Sequence, residues 1–241
     1  MIVSPLETGW QIIHHPAHAM LAVQIALQWK TANRPVRWVE TLTAIDTHDD
    51  HQPAWEGRNH LTEAGAPLNF RIRQYTAPGM NTRIGGARQK SRWNALLLST
   101  HMAFLYQYEP DENPELTRIM AELEANRKRW HKSYGTTKAE EQYAYEFMQF
   151  CDALSLMLVK GCLPIGERQI EVSKGPGGAS YFAFQRTDNS ISMTPWPFQD
   201  DEFTVHIESY TVSQLAFADD AELFEALEQV DAVELTWTFR R

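Results

Sequence analysis

Five polar side chains stand where helical phase places them among apolar neighbours, and their types suit metal binding. His18 lies one turn before Leu21 and Ala22, two before Ile25 and three before Trp29, on a helix face that must be buried. His48 and Asp49 follow Ile45 by three and four residues and extend an apolar face that includes Val39 and Leu42. His101, in LLLSTHMAFLY, has Leu97 one turn before it and Phe104 and Leu105 one turn after. Asp152, in FMQFCDALSLMLV, has Met148, Leu156 and Val159 to one side and Phe147, Cys151 and Leu154 to the other. A buried carboxylate without a partner costs several kcal/mol or takes up a proton. No arginine or lysine follows Asp152 before Lys160. Taken singly, each histidine is readable as a core residue satisfied by one hydrogen bond, and for Asp152 a metal and a distant partner stand level. Together the five need several partners at once, which a single cation held by neutral imidazoles and carboxylates supplies. Such a mixed nitrogen and oxygen set suits Fe, Mn, Zn or Co.

The elements that would position these groups are mostly helical. Apolar periodicity predicts a helix from Pro16 to Trp29, a turn at Asn33-Arg34-Pro35, and a second helix through VRWVETLTAIDTHDD from Val36. Residues 52 to 90 carry Pro53, Gly57, Gly65, Pro67, Pro78, Gly79, Gly85 and Gly86, too many breakers for a long element, and read as a long excursion with short helical turns. Helix resumes at the N-cap Ser91 and runs to about Tyr108; further helices are expected over Glu115 to His131 and Lys138 to Val159. Beyond Gly161 and Pro164, QIEVSK, ASYFAF, SISMTPW and FTVHIESYTVSQLAF alternate as strands between turns, an amphipathic helix starts at Asp219-Asp220, and VELTWTF closes the chain as a strand. The expected fold is therefore mainly α, a helical domain over residues 1–163, with a small C-terminal antiparallel sheet plus helix over residues 164–241 packed on it. Pro195-Trp196-Pro197-Phe198 reads as a hydrophobic hinge between sheet and helices, and the basic run from Asn126 to Lys132 as the coat of a helix.

Composition narrows the function classes. A chain of 241 residues with 43% hydrophobic and 22% charged residues can bury a sizeable core, so a globular domain is expected. The net charge of -9 would repel a polyphosphate at long range, which argues against nucleic acid as a partner. No leader pattern opens the chain and no apolar run spans a bilayer, so no membrane role and a cytoplasmic location are expected. The two cysteines, Cys151 and Cys162, exclude a disulfide framework and lack the close spacing of a zinc or redox pair. HExxH, GxSxG and the phosphate-binding GxxxxGK[ST] are absent.

The order His18, then His48-Asp49, then a late Asp152 within CDALSL resembles the HD superfamily of metal-dependent phosphohydrolases, in which an H…HD…D set on separate helices binds one metal. More narrowly, HAMLAVQIALQW, AIDTHDD, LLLSTHMAFLY, CDALSL and PWPF are similar to a bacterial family of HD-like proteins catalogued as a domain of unknown function. The resemblance implies an HD-like helical domain whose metal ligands are His18, His48, Asp49 and Asp152, with His101 a ligand of a second metal or a substrate contact. It implies one or two divalent transition-metal ions, drawn from Fe, Mn, Zn, Co or Ni. Where the narrower family is expected to carry Gly-Trp after its HDD run, this chain has His51-Gln52, which makes His51 a further ligand, a general acid or an exposed loop residue. Asp49, His51 and His101 are accordingly the catalytic candidates. The segment RIGGARQKSR brings Arg83, Arg88 and Lys90 ahead of a helix start, as a phosphate-binding group or as a solvated basic loop. Three activities follow: hydrolysis of a small phosphate mono- or diester, with a nucleotide among the candidates; di-iron oxygenation; or non-catalytic sensing by a retained metal or ligand site. The expected partner is a small phosphorylated molecule, with homo-oligomer formation left open.

Overall fold

The computed structural model describes residues 1–50, 52–72, 77–106 and 114–241. In chain order the elements are β1 (Ile2–Pro5), β2 (Trp10–Ile13), α1 (His15–Leu27), α2 (Trp38–Thr47), α3 (Ala77–Lys90), α4 (Arg92–Leu105), α5 (Pro114–Tyr134), α6 (Lys138–Val159), β3 (Ile170–Lys174), β4 (Ser180–Gln185), β5 (Ile191–Thr194), β6 (Glu202–Val212), α7 (Asp220–Glu228) and β7 (Val233–Arg240). The strands form one seven-stranded sheet in the order β1-β2-β6-β7-β5-β4-β3.

This corrects the expected fold class. The chain is not mainly α with a small C-terminal antiparallel sheet; a large mixed sheet stands beside the helices. It is mixed because β5 runs parallel to β7, while every other neighbouring pair is antiparallel. Residues 2–13 contribute two of its strands, and β2 pairs with β6 some 200 positions away, Trp10 opposite Val212 and Ile12 opposite Tyr210. The hairpin joining β1 to β2 turns at Gly9, whose φ of 94° falls in the region open to glycine, and a Cβ there would lie 1.9 Å from the Val212 carbonyl oxygen. Glycine is thus what lets the β6 edge approach the turn.

β6 alternates buried and exposed residues, with Val205, Ile207 and Ser209 inward, as a strand covered on one face requires. Its inward face packs, with Ile191, Met193 and Phe239, against the helical layer of α1 and α6. Ile12 and Val212 face the other way and form a second core with Leu223 and Leu227 of α7. Trp29 sits at the centre of the main core, fully buried and in edge contact with Phe147 and Phe150 of α6, Tyr181 of β4 and Phe198. A buried tryptophan removes about 150–250 Å² from water, on the order of 4–6 kcal/mol, so this residue is a main tie between helices and sheet.

Local signals set several helix ends. Ser91 caps α4 by accepting from the Asn94 amide at 3.0 Å, as the sequence indicates. At α6, Thr137 and Glu140 form a capping box, each side chain accepting the other's backbone N–H. The breaker-rich region differs from expectation: α3 is a fourteen-residue helix. Pro78 lies in its first turn, where a proline removes no intrahelical bond. Gly85 and Gly86 each cost about 1 kcal/mol relative to alanine, offset by burial of Ile84 and Ala87 in the main core. Among the described residues, no helix is long and apolar enough to cross a membrane.

Candidate metal centre

Three helices converge on one buried point. His15 and His18 come from the first turn of α1 and lie one turn apart on the face that continues through Ala22 and Ile25, all buried. His48 is the C-cap of α2, whose buried face runs through Thr41, Ala44 and Ile45; Val39 is 70% exposed and not on it, contrary to the expected phase. Asp49 follows just past the helix end. Asp152 projects from the middle of α6, between buried Cys151 and partly buried Ala153.

The backbone sets the ring orientations. His18 Nδ1 meets the His15 carbonyl, and His48 Nδ1 meets the Ile45 carbonyl at 2.6 Å. A carbonyl only accepts, so in the neutral form of both rings the proton sits on Nδ1 and the Nε2 lone pair points into the cluster. There the two Nε2 atoms face two carboxylate oxygens. His18 Nε2 is 3.3 Å from Asp49 Oδ2 and 3.2 Å from Asp152 Oδ1; His48 Nε2 is 3.3 Å from each of the same two atoms. His48 Nε2, despite its burial, has no well-directed hydrogen bond among the described residues.

These lengths discriminate between two explanations. A charge-assisted N–H···O⁻ bond is about 2.7–2.9 Å, and one N–H shared between two oxygens points straight at neither. Four contacts at 3.2–3.3 Å are long for such bonds and fall in the range of donor-to-donor edges in a coordination shell, about 3.0–3.1 Å in an octahedral one and about 3.3–3.4 Å in a tetrahedral one for bonds of about 2.0–2.2 Å. His18, His48 and Asp152, whose donor atoms lie within 4.8 Å of one another, could hold a cation, and Asp49 Oδ2 adjoins both rings.

In the absence of a cation the four groups must share protons. Burial, the largest influence on His18, lowers its pKa, yet hydrogen bonding to Asp152 and Asp49 carries it up to about 10. Burial likewise works to lower His48, and the charges of Asp49 and Asp152 raise it nonetheless. Both carboxylates would rise through burial, but His48 foremost, with His18, holds Asp152 well below the usual range, and His48 with His15 and His18 does the same for Asp49. The cluster thus places two negative groups and two readily charged rings at one point, an arrangement that a divalent ion completes with the rings neutral.

Of the residues singled out in the sequence, the structure brings His18, His48, Asp49 and Asp152 together. His101, on α4, lies one ring further out: its centroid is 5.3 Å from that of His48 at 90°, and its Nδ1 faces Tyr145 Oη at 3.4 Å. Burial first, then the nearby His48, lowers its pKa to about 4. His51 lies outside the described residues. Arg83 is buried, its Nη1 3.8 Å from Asp49 Oδ1, and with Lys90, Thr47, Asp50 and Gly86 it lines a cavity of about 170 Å³ beside the cluster. Arg88 is exposed and does not line that cavity.

The family model described as "Protein of unknown function (DUF3891)" matches residues 1–214. The chain belongs to that family. No curated protein and no solved structure matches it. Every donor of the cluster falls within the family match, as do all strands but β7.

One site residue escaped sequence reasoning within this family segment. His15 is 3% exposed, and its Nε2 is 3.4 Å from Asp49 Oδ2. Its ring stacks on Phe70 at 4.5 Å, and burial foremost lowers its pKa to about 3. The signal was the i, i+3 spacing of His15 and His18, which places both on one helix face.

Proposed function

We infer that the chain is a metal-dependent phosphohydrolase of HD type, acting on a small phosphate mono- or diester. The observation that carries this reading is the convergence of His18, His48, Asp49 and Asp152, drawn from three helices in HD order, with four donor-to-donor distances of 3.2–3.3 Å. His18, His48, Asp49 and Asp152 would hold a divalent ion, which when bound would lower the pKa of a coordinated water and polarise a phosphoryl oxygen. The adjoining cavity supports the substrate class, because Arg83 and Lys90 present positive charge within it. In this reading Arg83 has two roles: it keeps Asp49 oriented through Oδ1, leaving Oδ2 for the cluster, and it offers charge to the phosphoryl group. His101, a neutral ring in edge contact with His48, packs against the cluster from outside.

The test is direct. Purified protein supplied with Mn²⁺ or Co²⁺ is expected to hydrolyse bis(4-nitrophenyl) phosphate or a nucleotide. Activity should fall by at least about 100-fold in Asp152→Ala, a loss typical of removing a group that positions reacting atoms. An Arg83→Ala variant should keep the ion and lose substrate affinity. A metal-loaded wild type inert toward phosphate esters would overturn the hydrolase reading.

A further inference from the structure

Among the described residues, two groups have donor atoms within 4.8 Å of one another: His15, His18 and Asp49, and His18, His48 and Asp152. His18 belongs to both. Its Nδ1 is committed to the His15 carbonyl, which leaves a single lone pair, on Nε2. One lone pair serves one ion, so the two groups cannot hold a cation each. Asp49 Oδ2, 3.3 Å from His48 Nε2 as well as from His18 Nε2, links the two groups.

We propose that His15 is a fifth protein ligand of one shared ion, completing a set of three imidazoles and two carboxylates with His18, His48, Asp49 and Asp152. The inference rests on the metal reading above. Three observations support it. His15 Nε2 is buried and has no hydrogen-bond partner among the described residues, an arrangement that proteins seldom leave uncompensated. Asp49 Oδ2 lies 3.4 Å from that nitrogen, close to its 3.3 Å from His18 and His48, so all three rings are grouped about the same oxygen. The ring plane is fixed by stacking on Phe70 at 4.5 Å, with Gln52 Nε2 3.4 Å from His15 Nδ1 on its other nitrogen. Five protein donors exceed the four of a closed zinc site and suit a six-coordinate Fe, Mn, Co or Ni, with one position left for solvent or a substrate oxygen.

Cobalt(II) is the probe. X-ray absorption of the cobalt-loaded wild type is expected to count three imidazoles, and that of His15→Ala two. A chelator competition should show His15→Ala still binding one ion per chain but about 10–100-fold more weakly, in the range that even outer ligand-shell changes produce. Two imidazoles in the wild type, or unchanged affinity in a folded His15→Ala while His48→Ala releases the ion, would overturn the fifth ligand and leave the metal reading standing. A wild type that takes up no cobalt, zinc or manganese would overturn both.

Discussion

Asp152 and Asp220 are both acids shielded from solvent, yet they are satisfied in opposite ways. Asp220, on the far side of the sheet at the start of α7, is fully buried, and its carboxylate accepts the Asn59 and His60 amides at 2.9 Å each. It faces hydrogen-bond donors and the positive end of a helix dipole, so the group is complete as it stands. Asp152 Oδ1 faces the Nε2 atoms of His18 and His48 at 3.2 and 3.3 Å, where the backbone has already claimed the ring protons at Nδ1. With the rings neutral, carboxylate against lone pairs leaves a place for a cation; carboxylate against N–H groups ties two segments together. Burial alone does not separate a structural acid from a ligand. The partner atom does.

Substitution at each acid should therefore fail differently. Asp152→Ala is expected to abolish metal retention, weakening affinity by more than about 100-fold, while the metal-free variant keeps the fold; metal analysis beside circular dichroism reads both. Asp220→Ala should do the reverse. The buried His60 amide and the part-buried Asn59 amide lose their acceptor at roughly 1–3 kcal/mol each, so stability falls by about 2–6 kcal/mol in denaturant titration with the ion still bound. If Asp220→Ala also released the ion, the two sides of the sheet would be coupled and the contrast would break.

Acid sharpens the same contrast in metal-stripped protein. His15 and His101 are held down to about 3 and about 4, below their ordinary 6.5, so between about pH 6.5 and 4 the unfolded chain binds more protons than the folded one. Their contribution is present above pH 6.5 and lost as pH falls through that window. His18, raised to about 10, contributes fully below pH 6.5 and so does not oppose the loss. The melting temperature of stripped protein should thus drop from pH 6.5 to 4.5, and His101→Gln should flatten the slope. A slope unchanged by that variant would contradict the neutral, buried assignment of His101.

The smallest expected effect calibrates the others. Thr137→Ala removes the cap of α6 and should cost about 1 kcal/mol without touching the ion, although Asp152 rides on the same helix.

The helices bearing the cluster were legible in the sequence because helical phase is local: His18 reads against Ile25, and Asp152 against Met148 and Leu156, within a few turns. Phase erred where a helix is short, as at exposed Val39. The sheet was misjudged for the opposite reason. β1 and β2 are four residues each and acquire their identity from β6, a partner that no local window contains. α3 was hidden by its glycines and by a proline whose first-turn position makes it harmless. His15 was passed over because it precedes Pro16 at the helix margin, where periodicity has barely begun.

One ion between α1, α2 and α6 is the centre of the proposed chemistry. A crystal of protein grown with Co²⁺ and measured at the cobalt edge is predicted to show one anomalous peak per chain within bonding distance of His18, His48, Asp49 and Asp152. No peak there, with the four side chains bonded directly to one another, would contradict it.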